Sequence, residues 1–309
     1  MKNPKSSIVL LTFNHFFDTT RACLLSLINY TDLIENELII VDNCSDDDTV
    51  KKIEEIISGK NLKIRLIKNS MNYGYAAGNN IGIKEARGDI IILLNNDTIV
   101  SSKWLINLSN LISNQSNLGM LGPVSNSVGN EQMIVIDGLN EINFEIKYNN
   151  ALSQPVDLYH TDNLGFFCVA IKREVIDAVG LLDEKFGIGM FEDTDYCVRA
   201  LEAGFQLAFT EKVFVYHSGS YSFKKLSSSD YTSLFKKNLE YFQKKHGKFK
   251  WGFSLILKNF MNVLAQQINS SNDSSLITSY NLRAKSFENL ISVLTKIECM
   301  KVDNYNDIF

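Results

Sequence analysis

The first 125 residues alternate short apolar runs of strand length with stretches in which apolar residues recur at helical spacing. The apolar runs cover residues 7–13, 37–42, 63–68 and 89–94, and the helical stretches cover residues 19–30, 48–58 and 73–86. The runs at 39–41 and 90–94 do not alternate with polar residues, which is typical of strands covered on both faces. Repeated strand–helix–strand units with right-handed crossovers build a parallel sheet. We therefore predict an α/β fold.

The rest of the chain divides into a mixed part and a helical part. Between residues 118 and 217 the pattern predicts strands at 166–172, 206–209 and 213–216, and helices at 174–179 and 193–203. Beyond residue 227, three stretches are helical by period, at 230–246, 251–268 and 275–299, with a polar linker at 269–275. We expect an α/β domain over residues 1–222 and a helical region over residues 223–309.

Composition excludes several classes of protein. The 309 residues carry 31 basic and 35 acidic side chains, a net charge of −4, so nothing indicates a nucleic-acid partner. The five cysteines are scattered without a CxxC pair, which is typical of reduced thiols. No stretch approaches the roughly 20 apolar residues that cross a bilayer, and the N-terminal apolar run is too short for a signal peptide. We expect a cytoplasmic protein.

Polar side chains follow three of the predicted strands. They are Thr12 and Asn14, on either side of Phe13, at the end of the first strand, Asp42 at the end of the second, and Asn95, Asn96 and Asp97 after the fourth. Ligands of open parallel sheets bind outside the carboxyl ends of the strands. Asp and Asn also end strands and cap helices without any ligand, but three such sites together favour a binding edge. Asp97 is a suitable carboxylate ligand for a divalent cation that also holds a diphosphate.

A second group of candidate residues lies further along the chain. Glu192, Asp193 and Asp195 stand at the predicted start of a helix, where capping accounts for one or two carboxylates. Three carboxylates exceed what capping needs, and one held there could accept a proton from an attacking hydroxyl. His217 precedes a Ser-Gly turn and could ligate a metal, although single histidines are more often structural.

Three glycines at four-residue spacing, Gly74, Gly78 and Gly82, fall on nearly one stripe of a predicted helix. Such a stripe lets a ligand or another backbone approach closely, and helix packing explains it equally well. The spacing is not that of the GxGxxG turn, and the glycines follow the third strand instead of the first. The sequence therefore argues against an NAD-dependent oxidoreductase.

Taken in order, these motifs resemble glycosyltransferase family 2, an inverting family with the GT-A nucleotide-sugar-binding fold. The matching segments are 8–14, 39–49 (IIVDNCSDDDT), 69–82 (NSMNYGYAAGNNIG), 86–98 (ARGDIIILLNNDT), 191–199 (FEDTDYCVR) and 216–220 (YHSGS). Within the family, the pattern is most similar to bacterial rhamnosyltransferase-type enzymes of surface-polysaccharide assembly. The resemblance implies a Rossmann-like, mixed but mainly parallel sheet flanked by helices, with a C-terminal helical appendage.

The resemblance also implies roles in binding a nucleoside-diphosphate sugar, UDP- or dTDP-linked. Thr12, Phe13 and Asn14 would line the nucleoside pocket, with Phe13 against the pyrimidine ring, and Asp42 would hydrogen-bond the base. The donor sugar would be flanked by Asn72, Gly74 and Asn79, with Asn96 near the ribose or the sugar.

For catalysis, the resemblance implies a divalent cation, Mn²⁺ or Mg²⁺, held by Asp97 and His217. Asp193 falls at the position of the catalytic base, with Glu192 beside it. The base would deprotonate a hydroxyl of a saccharide or lipid-linked glycan, and a single displacement would invert the anomeric centre. Asn95 and Asn96 stand where the family carries further DxD-type residues, so we expect modest metal affinity without nucleotide.

Residues 224–258 contain nine lysines against two acidic residues, with aromatic residues interleaved. A basic, aromatic, amphipathic stretch suits an anionic membrane surface, so residues 224–260 are a candidate for peripheral attachment near a lipid-linked acceptor. The alternatives are ordinary packing with solvated lysines, or a homodimer interface. A non-catalytic nucleotide-sugar-binding or scaffold protein of polysaccharide assembly is the rival function.

Overall fold

The strands and helices of the computed structural model follow the alternation of the sequence; the structure describes residues 4–152, 154–219, 227–247 and 273–299. The strands are β1 (Ser6–Thr12), β2 (Glu37–Asp42), β3 (Ile64–Lys68), β4 (Ile90–Asn95), β5 (Thr98–Val100), β6 (Leu118–Val124), β7 (Tyr159–Thr161), β8 (Cys168–Lys172) and β9 (Gln206–His217). The helices are α1 (Thr20–Tyr30), α2 (Thr49–Ile57), α3 (Gly74–Glu85), α4 (Trp104–Ser113), α5 (Phe144–Ala151), α6 (Arg173–Val179), α7 (Glu192–Glu202), α8 (Ser228–His246) and α9 (Ser274–Cys299), with a 3-10 turn at Glu184–Phe186.

One mixed sheet runs through the molecule in the order β3-β2-β1-β4-β8-β6-β9-β5, and β7 pairs with β9 off this path. Strands β1 to β4 are mutually parallel, and β6 is parallel to β9. Strand β8 is antiparallel to both β4 and β6, and β5 is antiparallel to β9. The predicted mixed, mainly parallel α/β sheet is confirmed.

Two apolar layers cover the sheet, one on each face. Along β1, Ile8 and Leu10 belong to the layer under α1, α2 and α4, whereas Val9 belongs to the layer under α3 and α5 to α7. All three side chains have no exposed surface. The unbroken apolar runs of the sequence therefore correspond to strands that are buried on both faces.

The glycine stripe of α3 packs closely on its neighbours. A Cβ added at Gly78 or Gly82 would lie 2.5 Å from Leu11 Cδ1 or 2.3 Å from Val9 Cγ1, both on β1. A Cβ at Gly74 would lie 2.2 Å from the carbonyl oxygen of Gly187. Because these side chains are absent, α3 lies close against β1 and against the segment that precedes α7.

The segments predicted as separate strands at 206–209 and 213–216 form one strand, β9, of 12 residues. Its polar centre, Thr210-Glu211-Lys212, breaks the apolar pattern and coincides with a register irregularity against β6. Glu211 nevertheless stays buried because Arg283 of α9 pairs with it. A charged partner about 70 positions away gives no local signal in the sequence.

The helical region is partly described. Helices α8 and α9 lie where residues 230–246 and 275–299 were predicted to be helical, and the predicted helix at 251–268 lies outside the described residues. In the described part of the chain, no helix combines the length and the apolar character that crossing a bilayer requires.

Candidate active site

The carboxyl ends of β1 and β4 meet at the start of α1. Thr12, 1% exposed, lies with its Oγ1 2.7 Å from Thr20 Oγ1. The amide of Asn96 donates to Thr20 Oγ1 at 2.9 Å and to Thr19 Oγ1 at 3.1 Å. The parallel pairing of β1 with β4 makes these residues neighbours, as the sequence predicted from the strand ends. Asn96 therefore links the two strand ends through threonine hydroxyls.

The loop after β1 is fastened to the loop after β2. The amide N–H of Asn14 donates to Ser45 Oγ at 2.7 Å, and Asn14 Oδ1 accepts from the N–H of Asp46 at 2.9 Å. Asp42 is 2% exposed and accepts from the N–H and hydroxyl of Ser45, at 2.9 and 2.5 Å. Phe13 is 38% exposed beside this latch, so an aromatic face is accessible at this edge of the sheet.

A network of side-chain amides joins the end of β2 to the start of α3. Asn43 donates to Asn72 Oδ1 at 2.8 Å and to the Gly74 carbonyl at 3.1 Å. The side-chain oxygen of Asn43, Oδ1, accepts from Asn69 Nδ2 at 3.0 Å. Asn79, 1% exposed, donates to the Tyr75 carbonyl at 3.0 Å, while its Oδ1 has no hydrogen-bond partner among the described residues. Asn43 was not predicted as a site residue, although it directly follows Asp42.

Asp97 and His217 lie side by side because β5 pairs with the end of β9. Asp97 Oδ1 is 3.2 Å from His217 Nε2, and each residue is 7% exposed. His217 Nδ1 lies 2.6 Å from the Ser127 carbonyl, which can only accept, so Nδ1 carries a hydrogen. The imidazole stacks on Phe167, with ring centroids 5.3 Å apart. Nε2 is thus directed at a carboxylate by contacts on its other side.

The start of α7 holds two adjacent carboxyl groups. Glu192 is 7% exposed, and burial, followed by the charge of Asp193, raises its pKa to about 8. Glu192 Oε2 has no hydrogen-bond partner within the described part of the chain. Asp193 is half-buried and accepts from the N–H of Thr194 at 2.7 Å. Loss of solvent raises the Asp193 pKa although these hydrogen bonds oppose it.

Tyr75 and Phe166 connect the two halves of the site. The Tyr75 hydroxyl donates to the Phe166 carbonyl at 2.8 Å, and the backbone of Phe166 is among the groups that partly oppose the rise that burial causes in the Asp193 pKa. Burial raises the Tyr75 pKa well above 10, and the charges of Glu192, Asp193 and Asp97 raise it further. All three carboxylates therefore lie within electrostatic reach of one hydroxyl group. Neither aromatic residue was predicted as a site residue; Tyr75 lies in the matching segment 69–82, and Phe166 lies in the strand predicted at 166–172.

The described residues contain no cluster of three or more His, Cys, Asp and Glu side chains that would enclose a metal ion. Asp97 and His217 offer one oxygen and one nitrogen ligand. The Nδ1–H of His217 is held by a backbone carbonyl, as is usual for histidines that ligate metals. Two electron-rich atoms at 3.2 Å need a proton or a cation between them, so the pair fits a metal whose other ligands come from elsewhere.

The mixed sheet flanked by helices on both faces matches the GT-A fold of glycosyltransferases. The solved structure of GalNAc-T7 with UDP, GalNAc and Mn²⁺ superposes with a TM-score of 0.59 and 18% identity, covering 95% of this chain and 57% of that one. The family model of glycosyl transferase family 2 matches residues 7–180. The chain belongs to glycosyl transferase family 2, as the motifs predicted.

Curated relatives extend well beyond the length of this chain. An uncharacterized protein, y4gI of Sinorhizobium fredii, is 26% identical over 78% of this chain and 27% of its own length. A mouse protein described as inactive polypeptide N-acetylgalactosaminyltransferase-like protein 5 is 25% identical over 66% of this chain and 50% of its own length. The chain thus spans about a quarter to a half of these relatives.

Proposed function

We propose that this chain transfers a sugar from a nucleoside-diphosphate sugar to a hydroxyl acceptor, with inversion at the anomeric carbon. The observation that carries the proposal is the placement of Asp97 3.2 Å from His217 and of two adjacent carboxyl groups, Glu192 and Asp193, at the start of α7. Burial raises the pKa values of both groups of the adjacent pair. These are the two groups that inverting transfer needs, one toward the leaving diphosphate and one toward the acceptor.

The donor would bind along the carboxyl edge of the sheet. Phe13 offers an accessible ring for a nucleobase, and the latch between Asn14 and Ser45 holds its loop in position. The Asp42 carboxylate already serves this latch through Ser45, so contact with the base would be made beside those hydrogen bonds. The Asn72 and Gly74 segment, with Asn79 and Asn96, would border the ribose and the sugar.

The leaving group would face Asp97 and His217. Asp97 and His217 would hold a Mn²⁺ or Mg²⁺ ion at this position. Such an ion supplies neutralisation of the charge that builds on the departing diphosphate. The Ser127 carbonyl and the Phe167 ring keep the imidazole aimed at this position.

Asp193 would act as the general base. Burial raises the pKa values of both carboxyl groups, that of Glu192 to about 8, so the adjacent pair binds a proton more readily than isolated carboxylates do. The acceptor O–H proton passes to the Asp193 carboxylate while the acceptor oxygen bonds to the anomeric carbon. The bond from that carbon to the diphosphate oxygen breaks, and the nucleoside diphosphate leaves with the electron pair.

The test is release of nucleoside diphosphate from a panel of UDP-, dTDP- and GDP-sugars, with and without Mn²⁺. We expect Asp193→Asn to lower kcat about 1,000-fold, because the proton then has no acceptor, while the Kd of UDP with Mn²⁺ is unchanged. Asp177→Asn, an exposed aspartate of α6, is the matched control and should keep full activity. A Kd loss as large as the kcat loss would reject Asp193 as the base.

A non-catalytic sugar-nucleotide-binding role is the second candidate, and the inactive status of the mouse relative favours it. This role predicts that UDP with Mn²⁺ binds while no donor in the panel releases nucleoside diphosphate. Release of nucleoside diphosphate therefore distinguishes the two functions.

Membrane attachment through residues 224–260 stays a prediction. Of this segment the structure describes residues 227–247, in which Lys237 and Lys244 are exposed. Lys245 instead lies 2.7 Å from Asp183 and 2.6 Å from Asp195. The packing alternative accounts for Lys245, and the exposed lysines are the ones available to an anionic surface.

A further inference from the structure

The backbone that leads into the catalytic carboxylates is held in an unusual conformation. Between residues 187 and 191, four of five φ angles are positive: Gly187 (+67°), Gly189 (+151°), Met190 (+77°) and Phe191 (+73°). For the two residues with side chains, a left-handed φ is strained. Such a conformation persists only where the surroundings over-determine it. The residues that follow immediately are Glu192 and Asp193.

Helix α8 supplies hydrogen bonds to this turn through one side chain. Asn238 is 1% exposed, and its Nδ2 donates to the carbonyls of Phe186 (2.9 Å), Gly189 (2.8 Å) and Met190 (3.2 Å). An amide nitrogen has two hydrogens, so three acceptors share them. The turn directs its carbonyls toward one point, and Asn238 is the donor at that point.

Aromatic packing binds the same two parts together. Phe186, Phe191 and Phe242 form a buried apolar cluster. The Phe191 ring lies 5.2 Å from that of Phe235 and 5.7 Å from that of Phe242, both on α8. The left-handed φ of Phe191 is what places its ring in this cluster, one residue before Glu192.

Ionic contacts with α8 flank the turn on both sides. Before the turn, Asp183 accepts from the Tyr241 hydroxyl at 2.8 Å and lies 2.7 Å from Lys245 Nζ. After the turn, Asp195 is fully buried and lies 2.6 Å from Lys245 Nζ and 2.7 Å from His246 Nε2. Helix α8 therefore contacts the segment before, within and after the left-handed turn.

We propose that α8 is a built-in part of the active site and that Asn238 is a positioning residue for the carboxylate pair Glu192 and Asp193. Helix α8 begins almost 50 residues beyond the segment that the family model matches. The expected loss of kcat rests on the proposed function. The structural part of the inference, that Asn238 holds the turn at 187–191, does not depend on turnover.

The first measurement is hydrogen exchange. The Asp195 N–H donates to the Phe191 carbonyl at 2.8 Å, and the Tyr75 N–H donates to the Ile188 carbonyl at 3.3 Å, so both amides report on the turn. In Asn238→Leu we expect both to exchange about tenfold faster or more, because the turn loses its shared donor and opens locally. Asn238→Ala, which leaves room for water at the carbonyls, keeps the test available if the leucine variant does not fold.

The matched control is Asn36→Leu. Asn36 is 9% exposed and donates to the Asp32 carbonyl at 2.9 Å, but it lies at the opposite edge of the sheet. Far from the turn, it loses the same kind of donated bond, together with the bond that its Oδ1 accepts from the Ser6 N–H at 3.1 Å. If Asn36→Leu lowers the melting temperature as much as Asn238→Leu does, we still expect its Asp195 and Tyr75 amides to exchange at the wild-type rate.

The second measurement is kinetic, with the donor that the panel identifies. We expect Asn238→Leu to lower kcat about 100-fold through misplacement of the base, while the Kd of UDP with Mn²⁺ stays within about twofold of wild type. Unchanged exchange at the turn, or a kcat loss no greater than in Asn36→Leu, would overturn the positioning role. A wild-type chain without turnover rejects the proposed function, and the exchange measurement still decides whether Asn238 holds the turn.

Discussion

Of four buried carboxyl groups, two form ion pairs with cationic side chains, and for the other two no ion pair is seen among the described residues. Asp195 lies against Arg199, Lys245 and His246, and Glu211 against Arg283. Glu131, 1% exposed, and Glu192 each have one carboxylate oxygen without a hydrogen-bond partner among the described residues. Burial raises the pKa of Glu131 to about 7 and that of Glu192 to about 8. Glu131 and Glu192 therefore bind a proton more readily, because burial and neighbouring carboxylates disfavour their charged forms.

Glu131 makes stability depend on pH. Between pH 4.5 and about 7 the group is ionised in the unfolded chain and protonated in the folded one, so folding takes up a proton. The free energy of unfolding therefore falls as pH rises through this window, by about 3 kcal/mol in total from this group. We expect Glu131→Gln to remove this part of the slope, measured by urea unfolding at pH 5, 6 and 7.

Glu192 contributes a slope of the same sign up to about pH 8, which Glu131→Gln leaves in place. Glu202→Gln, an exposed glutamate of α7, is the control and should keep the wild-type slope. Equal slopes in wild type and Glu131→Gln would show that Glu131 is ionised in the folded state.

At the scale of elements, local periodicity was sufficient for β1 to β4 and α1 to α3, whereas β5, α4 and β6 were not predicted. Strand β2 has the predicted bounds, and α2 differs from its prediction by one residue at each end. These elements bury faces that repeat within a few residues, so the pattern is visible in the sequence. The convergence of the strand ends could also be predicted from the sequence, because the carboxyl ends of parallel strands lie at the same edge of a sheet.

Contacts between distant segments could not be predicted in this way. Asn238 meets its carbonyl partners 48 to 52 positions away in the chain. Arg283 meets Glu211 across 72 positions, which is why β9 was predicted as two strands. A single asparagine in an amphipathic helix has no periodic signal of its own. Such residues become visible only when the partner backbone is in place.

The stripe on α3 yields a prediction for this element. We expect Gly74→Ala to lower the free energy of unfolding by about 3 kcal/mol, because a Cβ at φ +83° is strained and would overlap the Gly187 carbonyl. Gly129→Ala is the control, since its Cβ would meet nothing within 4 Å and its φ is not positive. Urea unfolding measures both. A loss in Gly74→Ala as small as that in the control would mean that the segment before α7 moves aside freely.

At the scale of the whole molecule, a buried ion pair fastens α9 to the sheet. Arg283, 1% exposed, donates from Nε and Nη2 to Glu211 Oε1, at 2.8 and 2.5 Å. Its Nη1 donates to the carbonyls of Glu131 and Met133, at 3.1 and 3.3 Å. The guanidinium also lies about 5.4 Å from the ring centres of Phe209 and Phe287. A single side chain of α9 thus donates hydrogen bonds both to a carboxylate on β9 and to carbonyls of the loop that follows β6.

Removing Arg283 would leave the Glu211 charge buried without its cation. We expect Arg283→Met to lower the free energy of unfolding by about 3–5 kcal/mol, and the double variant Arg283→Met/Glu211→Gln to recover most of this loss because no buried charge remains. On the same helix, Lys285 forms an exposed pair with Asp137 at 3.1 Å, so Lys285→Met should cost less than about 1 kcal/mol. Urea unfolding of the wild type, Arg283→Met, Glu211→Gln and the double variant gives the coupling energy. If Arg283→Met and the double variant lose the same stability, packing of the arginine against its aromatic neighbours, and not its charge, holds α9 to the sheet.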